Sequence, residues 1–304
     1  MKKLILLVLL FFIQKNYSQN VFFAQKNIYL AEYYHKINND KKALDCYLKA
    51  IKMSPNSVNS YDYLNAAAIA FQLKKNKKAK EILVKSITYQ LAPYNFIDSY
   101  EKLSDYKKLN EFKVVLKDYN IYEKEYFQNL KNPAAYLSIM NLITKDQLIR
   151  QNEKVFDELT HEIDEENINE LMILTQKYGF EPRSWLILWH QRGVYSDESN
   201  IYWQFFKSYL RNEIKSGNLE KDFFVDFEEF SNKIKDINNG SIYTLHGLGN
   251  LGSGQNFQDI KNLDTRRKEV GLPPLYYEYF INNDSLPEEY EYDSKNLLKD
   301  LENL

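Results

Sequence analysis

Residues 30–55 read LAEYYHKINNDKKALDCYLKAIKMSP, and this stretch decides the fold. Leu30, Ala31 and Tyr34 recur at the three-to-four spacing of one helical face, and so do Ala43, Tyr47 and Ala50. Between the two runs, Asn38-Asn39-Asp40 has turn chemistry. Pro55 ends the second run because it has no N–H to give the helical ladder. The small side chains of Ala31 and Ala43 predict two antiparallel helices in close approach, with Tyr34 and Tyr47 filling the groove between them. Ala50 leaves room for a third helix to pack.

The pattern returns downstream. Tyr63, Ala66, Ala67, Ala70, Ala79, Leu83 and Ser86 take the equivalent places, and Pro93 follows. Two helix pairs so spaced resemble tetratricopeptide repeats, although Ala43 and Ala79 lie 36 residues apart against a usual period of about 34. The Lys74–Lys78 turn is expected to absorb the excess, and its lysines read as a solvated turn. Residues 94–130 keep the helical period but lose the alanines, as a degenerate third unit or a polar cap would. The resemblance implies a helical solenoid over residues 19–130 that takes a protein or peptide partner. Its concave face would be lined from first helices by residues such as Asn27, Glu32 and Asn65.

The leading residues set the expected compartment. Lys2 and Lys3 precede an apolar run from Leu4 to Ile13, and polar Gln14-Lys15-Asn16 and small Ser18 follow. That order is the architecture of a secretory signal peptide over residues 1–18, with export to the periplasm or beyond the cell. The run is too short for the roughly 20 apolar residues a membrane-spanning helix needs, and no later stretch is longer. Formal net charge is −2, so no surplus of positive charge argues for nucleic acid. Cys46 is the single cysteine; it cannot form an internal disulfide and reads as a small buried side chain.

Composition changes sharply behind the repeats. All nine glycines lie between Gly179 and Gly271, every tryptophan follows residue 180, and no arginine precedes Arg150. Such segregation divides the chain near Asn132-Pro133, with a second helical domain over 133–304. Asp164 is expected to cap a helix that Gly179 and Pro182 end. Trp185 to Trp189 reads as a buried helix, and further helices are expected from Ser199 to Gly217 and from Phe223 towards Lys233. Asn239-Gly240, between Ile234–Ile237 and Ser241–Leu245, predicts a β-hairpin near residues 233–245. The expected class is therefore mainly α with one small antiparallel ribbon.

Within 133–280, Asp146-Gln147-x-x-Arg150, Asp164 with Asn167, Tyr178-Gly179-Phe180, His190 and Asp264-x-Arg266-Arg267-x-x-x-Gly271-Leu272-Pro273 follow in order. Together they resemble a bacterial domain-of-unknown-function family, often exported and sometimes placed behind tetratricopeptide repeats. The resemblance implies a common fold and carries no activity. The family's Tyr-Gly-Thr-Gln segment is replaced here by Tyr243-Thr244-Leu245-His246.

Candidate chemistry gathers in the same half. Asp146 and Arg150 share a helical face at i,i+4. His190 stands where a buried helix ends, a place from which an imidazole acts as general base, with Arg192 holding an anion. His246, Asp264, Arg266 and Arg267 complete the set of candidate catalytic residues. These arginines, kept in a lysine-rich chain, suit planar bidentate contacts; the competing reading is that the whole set pins an irregular domain together. No cofactor is expected: Gly247-x-Gly249-x-x-Gly252 lacks the parallel strand and helix that a dinucleotide fingerprint requires. No metal site is expected either: His161-Glu162 lacks a second histidine one turn on, and His190 and His246, which could meet Asp146 or Asp264 in a His/carboxylate site, read as structural histidines. Two functions remain open, an exported interaction scaffold working through its repeats and an enzyme built on His190.

Overall fold

The computed structural model describes residues 20–151, 157–238, 243–248 and 256–304. The expected signal peptide lies outside these residues, as do the Asn239-Gly240 turn and most of the 247–252 glycine motif. The fold is mainly α, as the sequence predicts. Among the described residues, no helix is long and apolar enough to cross a membrane.

The chain forms two compact units. The first comprises residues up to 129 together with 216–221 and 264–304; the second comprises 130–215 and 222–263. The last forty or so residues, which the sequence division places in the second domain, fall in the first unit.

In the first unit, α1 (Asn20–Lys36) pairs with α2 (Asp40–Met53), and α3 (Ser60–Gln72) with α4 (Asn76–Gln90). Ala31, Ala43, Ala50, Ala66, Ala67, Ala70 and Ala79 are all fully buried, which is what close helix approach requires. The 36-residue period is written into the backbone. Asn38 and Lys74 take the same left-handed conformation, with φ of 59° and 58°. At the first turn the Asn39 N–H donates to Tyr34 O at 2.8 Å, and at the second the Lys75 N–H donates to Ala70 O at 2.8 Å. The two turns are alike, so the Lys74–Lys78 turn does not absorb the excess length; the irregular connection 54–59 between the pairs is the segment outside both matched turns. The Asn39 and Asn59 side chains cap α2 and α3. Short helices α5 (Tyr94–Ser99), α6 (Asn110–Lys117) and α7 (Tyr119–Gln128) continue the unit, with a 3-10 turn at Glu101–Tyr106.

Three further helices, α13 (Leu263–Glu269), α14 (Leu275–Asn282) and α15 (Leu297–Glu302), close the chain. Tyr29, Leu30 and Tyr33 of α1 are covered by Tyr277, Leu297 and Leu301, forming a small second core. The Lys36 Nζ donates to Ile281 O at 2.7 Å. This apolar strip on α1 is the physical reason that the C-terminal segment belongs with the first unit: left open, it would face water.

The second unit contains α8 (Pro133–Arg150), α9 (Asp157–Tyr178), α10 (Trp185–His190), α11 (Ile201–Lys215) and α12 (Val225–Asn238). Asn132 caps α8 with Pro133 in its first turn. Its core is aromatic: Phe227, fully buried, meets Trp185, Trp189, Tyr195 and Trp203. Gly179 ends α9 with φ +89°, the left-handed exit the sequence predicts. Two expectations fail here. Asp164 is not a cap, because α9 begins at Asp157 and Asp164 sits well inside it. Among the described residues the expected hairpin does not form: α12 runs through Ile234, and strand β1 (Tyr243–Thr244) pairs with β2 (Asn256–Phe257) in parallel. Packing of Phe227 and Phe230 against the tryptophans commits this flank to helix, a stronger demand than the turn signal of Asn239-Gly240.

Candidate functional site

The eight candidate residues divide between the units. Asp146, Arg150, His190, Arg192 and His246 fall in the second; Asp264, Arg266 and Arg267 fall in the first.

Asp146 is the centre of the first group. Its side chain is 1% exposed, on the inner face of α8 one turn before the helix ends. The i,i+4 spacing brings Arg150 Nη1 to 2.8 Å from Asp146 Oδ1. The same oxygen stands 2.7 Å from Nδ1 of His190, the last residue of α10. Arg150 Nη2 then donates to both oxygens of Asp164 on α9, at 2.6 and 2.8 Å. Three helices are thus tied by one guanidinium and one buried carboxylate. His190 is 14% exposed, and its Nε2 makes no hydrogen bond among the described residues. A carboxylate on Nδ1 selects the tautomer with Nδ1 protonated, leaving Nε2 as an acceptor.

Arg192 lies two residues beyond His190. Its guanidinium packs between the Trp189 and Phe230 rings, 4.5 and 4.6 Å from their centroids. Nη1 donates to Trp189 O at 2.8 Å, while the buried Nε has no acceptor among the described residues. Burial first, and then the charge of Arg150, pull the Arg192 side chain below its ordinary value. A second positive charge therefore lies within electrostatic reach of Arg150.

Asp146, Asp164 and His190 place ligand atoms within 4.8 Å of one another, a set of the kind that holds a divalent ion. The donor chemistry argues otherwise. Arg150 already bonds both carboxylates, so an ion would have to displace a bidentate guanidinium to bind there.

His246 is buried elsewhere in the unit, with Nδ1 3.9 Å from Glu229 Oε1. Glu229 is 3% exposed and gathers the ribbon end. It accepts from the Thr244 hydroxyl at 2.9 Å, from the Leu245 N–H at 2.8 Å and from the His246 N–H. These bonds make it a structural anchor for residues 244–246.

The remaining residues are tied within the first unit. Asp264 accepts from the Leu275 N–H at 2.8 Å and the Tyr290 hydroxyl at 2.7 Å. Arg267 is fully buried, with Nε donating to Pro273 O at 2.6 Å and Nη2 to Glu278 Oε1 at 3.0 Å. Arg266 is half-buried on the same helix. The Asp-x-Arg-Arg motif thus holds α13 against the start of α14.

The expected partner-binding residues are engaged internally. Asn27 Nδ2 donates to Phe23 O at 2.7 Å. Glu32 accepts from the Tyr277 hydroxyl, and burial raises its carboxyl above the usual range. Asn65 Oδ1 accepts from the Tyr100 hydroxyl at 2.9 Å and from Lys102 Nζ at 2.8 Å. Asp164 and Glu229 carry contacts that sequence reasoning missed. Asp164 reaches Arg150 across the connection between two helices, and Glu229 serves a ribbon whose position no local pattern encodes.

No protein-family model matches the chain, and the curated proteins and solved structures yield no match. Function is therefore argued from the side-chain geometry.

Proposed function

We propose that the chain is an exported protein whose second unit carries a general acid–base site. His190 is the proton-transferring group, Asp146 orients it, and Arg192 anchors an anionic ligand such as a carboxylate or phosphate. One observation carries this reading: Asp146 holds His190 Nδ1 at 2.7 Å, leaving Nε2 as the open ring nitrogen of a partly exposed imidazole. A buried carboxylate behind an imidazole fixes its tautomer and stabilises the imidazolium that proton uptake creates. Arg150 keeps that carboxylate compensated while Asp164 in turn compensates Arg150.

Nitrogen-15 spectra of the labelled imidazole test the geometry. The neutral His190 ring should be protonated at Nδ1 in the native chain and shift towards Nε2 protonation in Asp146→Asn. A native ring protonated at Nε2 would remove the base and sink the reading. Assay against aryl esters and aryl phosphates tests the chemistry: turnover should fall by about a hundredfold in His190→Gln, and equal rates for the two proteins would count decisively against it.

A second reading, a repeat scaffold that takes a peptide or protein partner, is favoured by one observation in the first unit. The first helices that carry Glu32 and Asn65 also carry Asp62, a buried residue whose carboxyl makes no hydrogen bond among the described residues.

A further inference from the structure

Two clefts lie side by side on the first unit and share α4 as a wall. One, of about 640 Å³, has Leu44 and Leu48 of α2 on its apolar side and Lys74, Lys75, Lys77 and Lys78 around it. The other, of about 420 Å³, runs between α4 and α7, with Val84, Tyr89 and Tyr122 beside Lys77, Lys80 and Lys85. Lys77 and Glu81 border both, so the clefts make one groove along α4. The acids in it are Glu81 and Glu125. Lys78 and Lys85 already hold Glu81, at 2.5 and 3.4 Å. Lys74, Lys75, Lys77 and Lys80 make no ion pair or side-chain hydrogen bond among the described residues.

The fold does not require that charge. The first helix pair makes the same left-handed turn with Asn38, Asn39 and Asp40, and there Asn39 caps α2. At the matched places of the second pair stand Lys74, Lys75 and Asn76, and Lys75 makes no side-chain cap. Lysines so gathered oppose one another and the positive end of the α4 dipole, a cost that an anionic partner would offset.

We propose that this groove docks an acidic, extended peptide segment of a partner protein, with carboxylates on the lysines and apolar side chains on the Leu44 and Leu48 wall. An extended strand turns alternate side chains to opposite sides, which suits a groove with leucines on one side and ammonium groups around it. From Lys75 to Lys85 a helix rises about 15 Å, the span of about five extended residues. Single-stranded nucleic acid takes a row of stacking rings along its path, whereas tyrosines border only the cleft between α4 and α7. A bilayer takes an exposed apolar face, whereas Leu44 is fully buried and Leu48 and Val84 are partly so. The inference rests on the scaffold reading for the existence of a partner, but moves its surface from the first helices to α4. It is independent of His190, which belongs to the other unit.

Anisotropy of a fluorescein-labelled Leu-Glu-Leu-Asp-Leu-Glu-Leu-Asp peptide, titrated with the full chain, tests the groove. The same peptide with Gln and Asn for its acids, an oligothymidylate of equal charge and phosphatidylserine vesicles are the comparison probes. The acidic peptide should bind, with affinity falling about tenfold between about 50 and about 300 mM salt. Lys75→Glu combined with Lys77→Glu should weaken it by about tenfold or more. Both side chains are exposed and unpaired, so circular dichroism should show the fold retained. Lys52→Glu combined with Lys113→Glu, exposed and bordering neither cleft, should bind as the native chain does. Failure of the acidic peptide to bind, equal affinity for the neutral peptide, or equal loss in the two double variants would overturn the proposal. So would tighter binding of the oligothymidylate or the vesicles. Binding that ignores the lysines and disappears in Asn65→Ala would overturn this surface while upholding the scaffold reading. His190→Gln should leave the peptide affinity unchanged, which keeps the result separate from the acid–base reading.

Discussion

Asp62 and Asp146 show how burial gives one residue type two behaviours. Asp146 is 1% exposed yet compensated by Arg150 and hydrogen-bonded by His190. Asp62 is about as deeply buried and has no such partner. Burial, and then the charge of Glu32, raises the Asp62 carboxyl, and the sign of its pH-dependent stability follows from that rise. The folded state holds a proton up to about pH 7, whereas an unfolded aspartate loses it near 3.9. Between those limits the folded chain binds more protons, so stability falls as pH rises through the window and levels off above it. The loss is on the order of a few kcal/mol by pH 8. Native and Asp62→Asn chains should melt alike near pH 4, with the variant melting higher at pH 8; a gap of the same size at both would refute the assignment. Asp146 was legible in sequence because its partner Arg150 is four residues away. Asp62 was not, since nothing local distinguishes an exposed first-turn acid from a buried one.

Helix ends were the most legible elements. Gly179 follows an amphipathic run and precedes Pro182 by three residues, and it takes the left-handed exit expected of it. A Cβ there would meet only the Tyr209 hydroxyl, at 3.7 Å, so the cost of Gly179→Ala is the backbone's own, about 1–2 kcal/mol. Gly193 has no positive φ and nothing within 4 Å of a Cβ, so Gly193→Ala should stay within about 0.5 kcal/mol of the native chain. Urea unfolding of the two variants checks the contrast; equal losses would contradict it. The misread elements failed for an identifiable reason. Asn239-Gly240 is a hairpin signal only if both flanks are strands, and packing of Phe227 and Phe230 commits the preceding flank to α12. The α9 start was misplaced because Asp164 has the chemistry of a cap, while its carboxylate is used as an ion-pair partner.

At the scale of the whole molecule, the chain leaves the first unit near residue 130 and returns to it from 264 onward. Tyr277, Leu297 and Leu301 complete the core beside Tyr29, Leu30 and Tyr33. A chain ending at residue 285 would lose Leu297 and Leu301 from this cluster. It should melt several degrees lower, since about 2–5 kcal/mol attaches to each large side chain lost from a core. It should also bind a hydrophobic dye that the full chain does not. An unchanged melting temperature would show that α15 adds nothing to the fold. The sequence by itself determined the helical class, the two helix pairs whose turns lie 36 residues apart and the helix end at Gly179. Each rests on near-neighbour spacing, which helix periodicity converts directly into faces. Only the tertiary structure decided that the C-terminal helices complete the first unit and that His190 and Asp164 join Asp146 and Arg150. It also decided that Asp62 is buried without a counter-charge. Those contacts join residues far apart in the chain, and burial, which sets their energies, is a property of the packed molecule and not of any local stretch.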